Sequence, residues 1–99
     1  LQQVMAQPFW QRMQKAEVML TEVPFGISQG DTYISGTIDL LFREAGGWVI
    51  VDYKSDTIID QDHRQELLAY YQPQVEAYQQ YWQKITGEPV TETIIIFTQ

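Results

Sequence analysis

Cysteine is absent from the sequence, which excludes disulfides, thiolate zinc sites and iron–sulfur clusters within these 99 residues. A charged leader followed by an apolar segment is also missing, as is any run of about twenty apolar residues that could span a bilayer. We therefore expect a cytoplasmic protein without a membrane association. Because the first residue is Leu1 rather than Met, we also expect the chain to be a fragment of a longer protein.

Basic residues are scarce. Six lysines and arginines stand against 13 aspartates and glutamates, which gives a net charge of −7. Free-standing nucleic-acid-binding proteins usually carry a basic patch, so the charge alone favours an acidic globular protein with another role. The other interpretation is that some carboxylates hold a metal ion, while a different part of a larger protein grips a nucleic acid.

The apolar pattern predicts an α/β fold with the element order α-β-β-β-α-β, formed by residues 1–99 as one small domain. An antiparallel meander followed by a helical crossover predicts a mixed central sheet flanked by helices. Pro73 predicts either a kink in the second helix or a later start near Tyr71. Gly36 predicts a bulge or a close backbone approach. The predicted elements are a helix at 8–16, strands at 18–25, 33–42 and 48–53, a helix from about 62 to a cap at Gly87, and a strand at 93–97.

The third strand ends in Asp52, Tyr53 and Lys54. Positions two apart in a strand point to the same face, so Asp52 and Lys54 are predicted to lie together. Asp39 places a second carboxylate in the preceding apolar strand, and charges there are costly unless they are paired or bind a metal. Asp39, Asp52 and the backbone carbonyl of Tyr53 are hard oxygen donors that suit Mg²⁺ or Mn²⁺.

Lys54 beside such an ion can orient an attacking water and stabilise charge on a phosphate. A regular hairpin register need not bring Asp39 and Asp52 face to face, so their convergence requires a splayed or bulged pair. The alternative for these residues is an Asp–Lys ion pair on an edge strand. Local chemistry leaves both interpretations open.

Three motifs in series carry a resemblance to a known family. They are Gly36-x-x-Asp39-Leu40-Leu41, the stretch Val51-Asp52-Tyr53-Lys54-Ser55-Asp56, and Gln74-x-x-x-Tyr78 in a helix. Together they resemble the RecB-type branch of the PD-(D/E)xK nucleases, and within it the nuclease domains of the AddA (RexA) type. The resemblance implies a two-layer nuclease core that hydrolyses DNA as an Mg²⁺- or Mn²⁺-dependent exonuclease.

The same resemblance implies roles for individual residues and for a parent protein. Asp39 and Asp52 would be metal ligands, Lys54 the catalytic lysine, and Gln74 and Tyr78 residues that bind DNA or support the site. The parent would be an ATP-dependent helicase–nuclease of double-strand break repair and recombination, with an AddB (RexB)-like partner subunit. These 99 residues contain no phosphate-cradling loop for ATP.

The sequence also departs from the family. Its first helix has no histidine or glutamate to serve as a further metal ligand, and the single histidine, His63, is predicted to lie on the surface. Glu17 or Glu22 could substitute, or the ligand could precede Leu1. A catalytically degenerate module for DNA docking or subunit interaction is therefore a second hypothesis. The aromatic stripe of the second helix predicts core packing, or a stacking platform for single strands; its members are Tyr70, Tyr71, Tyr78, Tyr81 and Trp82.

Overall fold

The computed structural model describes residues 6–98, except for the side chains of residues 6–9 and 29. The predicted order α-β-β-β-α-β and the α/β fold class are confirmed within this range. No helix there is long and apolar enough to cross a bilayer. The elements are α1 (Ala6–Gln14), β1 (Val18–Gln29), β2 (Thr32–Glu44), β3 (Gly47–Lys54), α2 (Gln61–Thr86) and β4 (Val90–Phe97).

The strands form a mixed sheet in the order β1-β2-β3-β4. The two hairpins β1–β2 and β2–β3 are antiparallel, whereas β4 returns through α2 and pairs parallel to β3. β3 therefore lies inside the sheet, where its apolar run is buried on both faces. The alternative that Asp52 and Lys54 belong to an edge strand is wrong.

Each face of the sheet is covered by one helix. On one face, Ala77, Tyr78 and Trp82 of α2 pack against a cluster that includes Leu41 and Ile50. On the other face, Met13 of α1 and the following Ala16 pack against a cluster whose members include Leu40, Phe42, Val49 and Val51. The predicted flanking helices are confirmed, and α2 lies on the face to which Asp52 and Lys54 point.

Helix α2 has a defined cap at each end. Asp60, with an extended backbone, accepts a hydrogen bond of 2.8 Å from the His63 N–H. Gly87 ends the helix in the left-handed conformation, with φ at 70°. The helix runs through Pro73 without a break, so the alternative start near Tyr71 is wrong. Pro73 lies on the exposed side, where water can satisfy the carbonyl that loses its N–H partner.

Two strand boundaries were predicted too conservatively. β1 continues past Phe25 to Gln29, because the β1–β2 hairpin keeps its register to a turn at Gly30 with φ at 60°. β4 begins at Val90, which pairs with Trp48 of β3. The register passes through Gly36 without a bulge. The close approach is confirmed instead, since a Cβ on Gly36 would lie 2.9 Å from a ring carbon of Phe25.

Candidate active site

The ladder between β2 and β3 ends at the pair Leu40 and Val51. One further step in the same register places Asp39 opposite Asp52. There the Tyr53 N–H donates to Asp39 Oδ2 at 2.8 Å instead of to the backbone of β2. The two strands thus separate at this point with the Asp39 carboxylate in the gap, which is the splayed arrangement that convergence of the two acids requires.

Asp52 is the buried carboxylate of the site, with 3% of its surface exposed. Burial raises the pKa of Asp52 to about 6, contact with the carboxyl group of Asp39 adds to the rise, and Lys54 opposes it. Asp52 Oδ2 forms an ion pair with Lys54 Nζ at 3.1 Å. Among the described residues, this oxygen has no hydrogen-bond partner. An oxygen buried in this state is costly, and a bound cation would satisfy it.

The backbone carbonyl of Tyr53 faces the same gap. The Lys54 carbonyl accepts a hydrogen bond from the Thr98 N–H on the β4 side. Because successive residues of a strand direct their backbone groups to opposite sides, the Tyr53 N–H and carbonyl face the β2 side. The donor set is then two carboxylates and one carbonyl, all oxygen, which fits Mg²⁺ or Mn²⁺ with waters completing the shell. Within residues 6–98, no third acidic or histidine side chain joins this set.

Three groups hold the Lys54 ammonium beside Asp52. Lys54 Nζ donates to Gln74 Oε1 at 2.6 Å and lies 4.3 Å from the centre of the Tyr71 ring. Both of these partners project from α2, so the helical crossover places them against the end of β3. With the Asp52 ion pair as the third contact, the position of the ammonium is fixed from three directions.

Sequence reasoning missed the part played by Tyr71 and Asp56. The Tyr71 hydroxyl donates to Asp56 Oδ1 at 2.7 Å, and this bond raises the pKa of Tyr71 to about 12. The bond ties the loop after β3 to α2 directly behind Lys54. The available signal was the spacing of Tyr71, three residues before Gln74 on the same side of a helix.

Gln74 and Tyr78 occupy different environments although they are one helical turn apart. Gln74 is exposed and contacts Lys54. Tyr78 is buried and packs edge-to-face against Phe25, with ring centres 4.9 Å apart. Its pKa is raised by burial, and also by the charges of Asp52 and Asp39. Tyr78 is therefore a core residue that also lies close to both carboxylates.

The substitutes considered for the missing ligand lie in different places. Glu17 forms an ion pair with Arg43 at 3.1 Å, near the opposite end of β2. Glu22 lies opposite Asp39 in the β1–β2 register, is exposed, and has a φ of 52°. A positive φ strains a residue with a side chain, so Glu22 is held in an unfavourable conformation next to the site. His63 is partly buried rather than on the open surface, and its Nδ1 accepts from the Ile59 N–H in the helix cap.

The aromatic stripe of α2 divides into two parts. Tyr78, Tyr81 and Trp82 pack in or against the core, which confirms the core interpretation for these three. Tyr70, in contrast, is 75% exposed beside the end of the site. The stacking-platform interpretation therefore remains only for Tyr70.

Comparison with known proteins agrees with this geometry. A family model described as the PD-(D/E)XK nuclease superfamily matches residues 1–98. The chain is similar to an ATP-dependent helicase/nuclease subunit from Anoxybacillus flavithermus, with 34% identity over 93 residues that cover 89% of this chain. The protein of the same name from Carboxydothermus hydrogenoformans is 33% identical over 107 residues that cover 95% of it. The chain spans only 8% and 9% of the length of these two relatives.

Proposed function

The chain belongs to the PD-(D/E)XK nuclease superfamily, and on that premise we propose that it hydrolyses DNA phosphodiester bonds with a divalent cation, Mg²⁺ or Mn²⁺. The observation that carries the proposal is the convergence of Asp39, Asp52 and Lys54 at the point where β2 and β3 separate. A merely structural ion pair would not require the second carboxylate or leave Asp52 Oδ2 without a hydrogen bond.

In this proposal Asp39, Asp52 and the Tyr53 carbonyl hold the cation. A cation bound there lowers the pKa of a water and neutralises charge on the phosphate. Lys54 orients the attacking water and donates to a phosphate oxygen, because its ammonium is held beside Asp52 in a largely buried position. Such prearranged donors act strongly where water is excluded.

Two residues of α2 support these groups. Gln74 holds the ammonium through its carbonyl oxygen, and its amide nitrogen then serves as a donor to a neighbouring DNA phosphate. Tyr78 fills the space beneath the carboxylates and keeps bulk water away from them, since its ring is buried against Phe25.

For the whole protein we propose a role as the nuclease of an ATP-dependent helicase–nuclease in double-strand break repair and recombination. The names of the relatives support this role. The proposal includes exonuclease action in the cytoplasm and an AddB (RexB)-like partner subunit. Degradation of linear but not circular single-stranded DNA would support the exonuclease part, and cutting of circles would contradict it.

Lys54→Ala tests the catalytic assignment. We expect Mg²⁺-dependent cleavage to fall by roughly 100-fold or more, the range for loss of a positioned proton donor or charge stabiliser. Lys84→Ala is the matched control, because Lys84 is exposed near the distal end of α2. Unchanged cleavage by a folded Lys54→Ala variant would remove the assigned role of Lys54.

A catalytically degenerate module for DNA docking or subunit interaction is the second candidate. It is favoured by the absence of a third acidic or histidine ligand within residues 6–98. Calorimetric titration with Mn²⁺ separates the two functions. Binding that is lost in Asp39→Asn and Asp52→Asn supports the enzyme, whereas no binding by the unsubstituted protein supports the module.

A further inference from the structure

A cleft of about 400 Å³ opens beside Lys54, between the end of β3 and α2. Its volume falls in the range of roughly 300–1,000 Å³ that small-molecule sites occupy. The cleft is lined by Lys54, Tyr70, Tyr71, Pro73 and Gln74. None of these five residues is acidic, although acids outnumber bases by 13 to 6 in the chain. The lining therefore suits an anion that carries a flat apolar group.

Tyr70 supplies an open aromatic surface at this cleft. It is 75% exposed and meets Tyr71 edge-to-face, with ring centres 5.1 Å apart and planes at 75°. The core of the helix is filled by Tyr78 and Trp82, so Tyr70 has no part in holding α2 on the sheet. An aromatic ring held by one neighbour and otherwise open to water is a ready surface for stacking.

We propose that Tyr70 and Pro73 form a subsite for one unpaired nucleobase of the strand whose phosphate contacts Lys54. This inference rests on the proposed function. The base stacks on the Tyr70 ring and lies against the Pro73 ring, while the adjoining phosphate reaches the Lys54 ammonium. Contacts of 4.3 Å from the ammonium to the Tyr71 ring and of 5.1 Å from Tyr71 to Tyr70 set a separation that one nucleotide can bridge.

The subsite predicts a substrate preference. A base inside a duplex is stacked on both sides and cannot reach Tyr70, whereas a base in a single strand or a frayed end can. Stacking on an aromatic side chain tolerates every base, since each has a π-face. The subsite therefore selects unpaired DNA next to the scissile phosphate without selecting its sequence.

The test uses a single-stranded oligonucleotide and copies that each carry one abasic site at a different position around the scissile bond. For the unsubstituted protein, kcat/KM should fall about tenfold when one particular base is missing, the effect expected for one lost stacking contact. Tyr70→Ala should lose about as much on the intact strand and be insensitive to the abasic site. Tyr70→Phe should behave as the unsubstituted protein.

Tyr33→Ala is the matched control, because Tyr33 is 69% exposed on the distant β1–β2 hairpin. Normal kcat/KM for Tyr70→Ala with undiminished sensitivity to the abasic site would overturn the subsite and leave the nuclease assignment intact. If the unsubstituted protein cleaves no DNA, the nuclease proposal fails. Anisotropy titrations with the same oligonucleotides then decide the subsite: affinity that depends on Tyr70 and on the one base supports it, and affinity that depends on neither overturns it.

Discussion

The Lys54 ammonium lies 4.3 Å from the centre of the Tyr71 ring, and the Tyr71 hydroxyl is anchored on Asp56 at 2.7 Å. A cation over an aromatic face is attracted by the ring's quadrupole, the more so where water is excluded. Tyr71 therefore acts on the reaction through Lys54 and is a positioning residue rather than a catalytic one.

Replacement of Tyr71 separates the effect of its ring from that of its hydroxyl. Tyr71→Leu removes the ring under Lys54, so we expect kcat to fall roughly 2- to 30-fold, which corresponds to a contact of about 0.5–2 kcal/mol. Tyr71→Phe keeps the ring and should retain most of kcat while losing the bond to Asp56. Steady-state kinetics and thermal denaturation check both variants. Equal kcat for the Leu and Phe variants would show that the ring does not position Lys54.

Asp52→Asn should stabilise the metal-free protein at neutral pH. The pKa of Asp52 is raised from its ordinary value of 3.8 to about 6, so the folded state binds the proton more tightly than the unfolded state. Stability from this group is present at low pH and is lost as pH rises from about 4 to 6. A rise of about two pKa units corresponds to about 3 kcal/mol at pH 7.5, and Asp52→Asn should recover up to that amount.

Urea denaturation in the presence of a chelator measures this difference at pH 4 and at pH 7.5. The free energy of unfolding of Asp52→Asn should match that of the unsubstituted protein at pH 4 and exceed it at pH 7.5. Asp31→Asn, in the exposed β1–β2 turn, is the control and should show no such pH-dependent gain. A destabilised Asp52→Asn variant at pH 7.5 would mean that the carboxylate is well stabilised without a metal.

Mn²⁺ should raise the melting temperature, and more strongly at pH 7.5 than at pH 5. Binding requires ionised Asp52, and protons compete for it below its pKa of about 6. Free metal at 100 times its Kd adds about 2.7 kcal/mol to the free energy of unfolding. Asp39→Asn should remove the effect, because Asp39 is the second carboxylate ligand. The same shift at both pH values would place the bound ion away from Asp52.

The φ of 52° at Glu22 predicts an inverted order of glycine and alanine. A left-handed backbone costs a residue with a Cβ roughly 1–2 kcal/mol, but not glycine. Glu22→Gly should therefore be more stable than Glu22→Ala by about 1 kcal/mol, the reverse of the order expected at a strand position such as Thr21. Denaturation of both variants tests this, and Mn²⁺ titration of the pair tests whether the Glu22 carboxylate contributes to metal affinity. Higher stability for Glu22→Ala would contradict the strained backbone.

Local patterns gave a good prediction of the elements but a poorer one of where they end. The apolar run of β3 correctly predicted an interior strand, because burial on both faces removes the alternation of polar residues. The end of β1 was missed at Gly26 and Ser28, which have low strand propensity but are carried along by the hairpin register. Pro73 was treated as a break, although its exposed position lets the helix continue through it.

The sequence by itself determined that Asp52 and Lys54 share a face, because that relation depends only on the two-residue period of a strand. It also determined that Gln74 and Tyr78 lie one turn apart on a helix. Only the tertiary structure decided that the Asp39 carboxylate enters the gap beside Tyr53, that Tyr71 lies under Lys54, and that Glu22 takes a positive φ. Spacing within one element fixes directions, whereas distances between elements depend on how strands separate and how a helix packs across them.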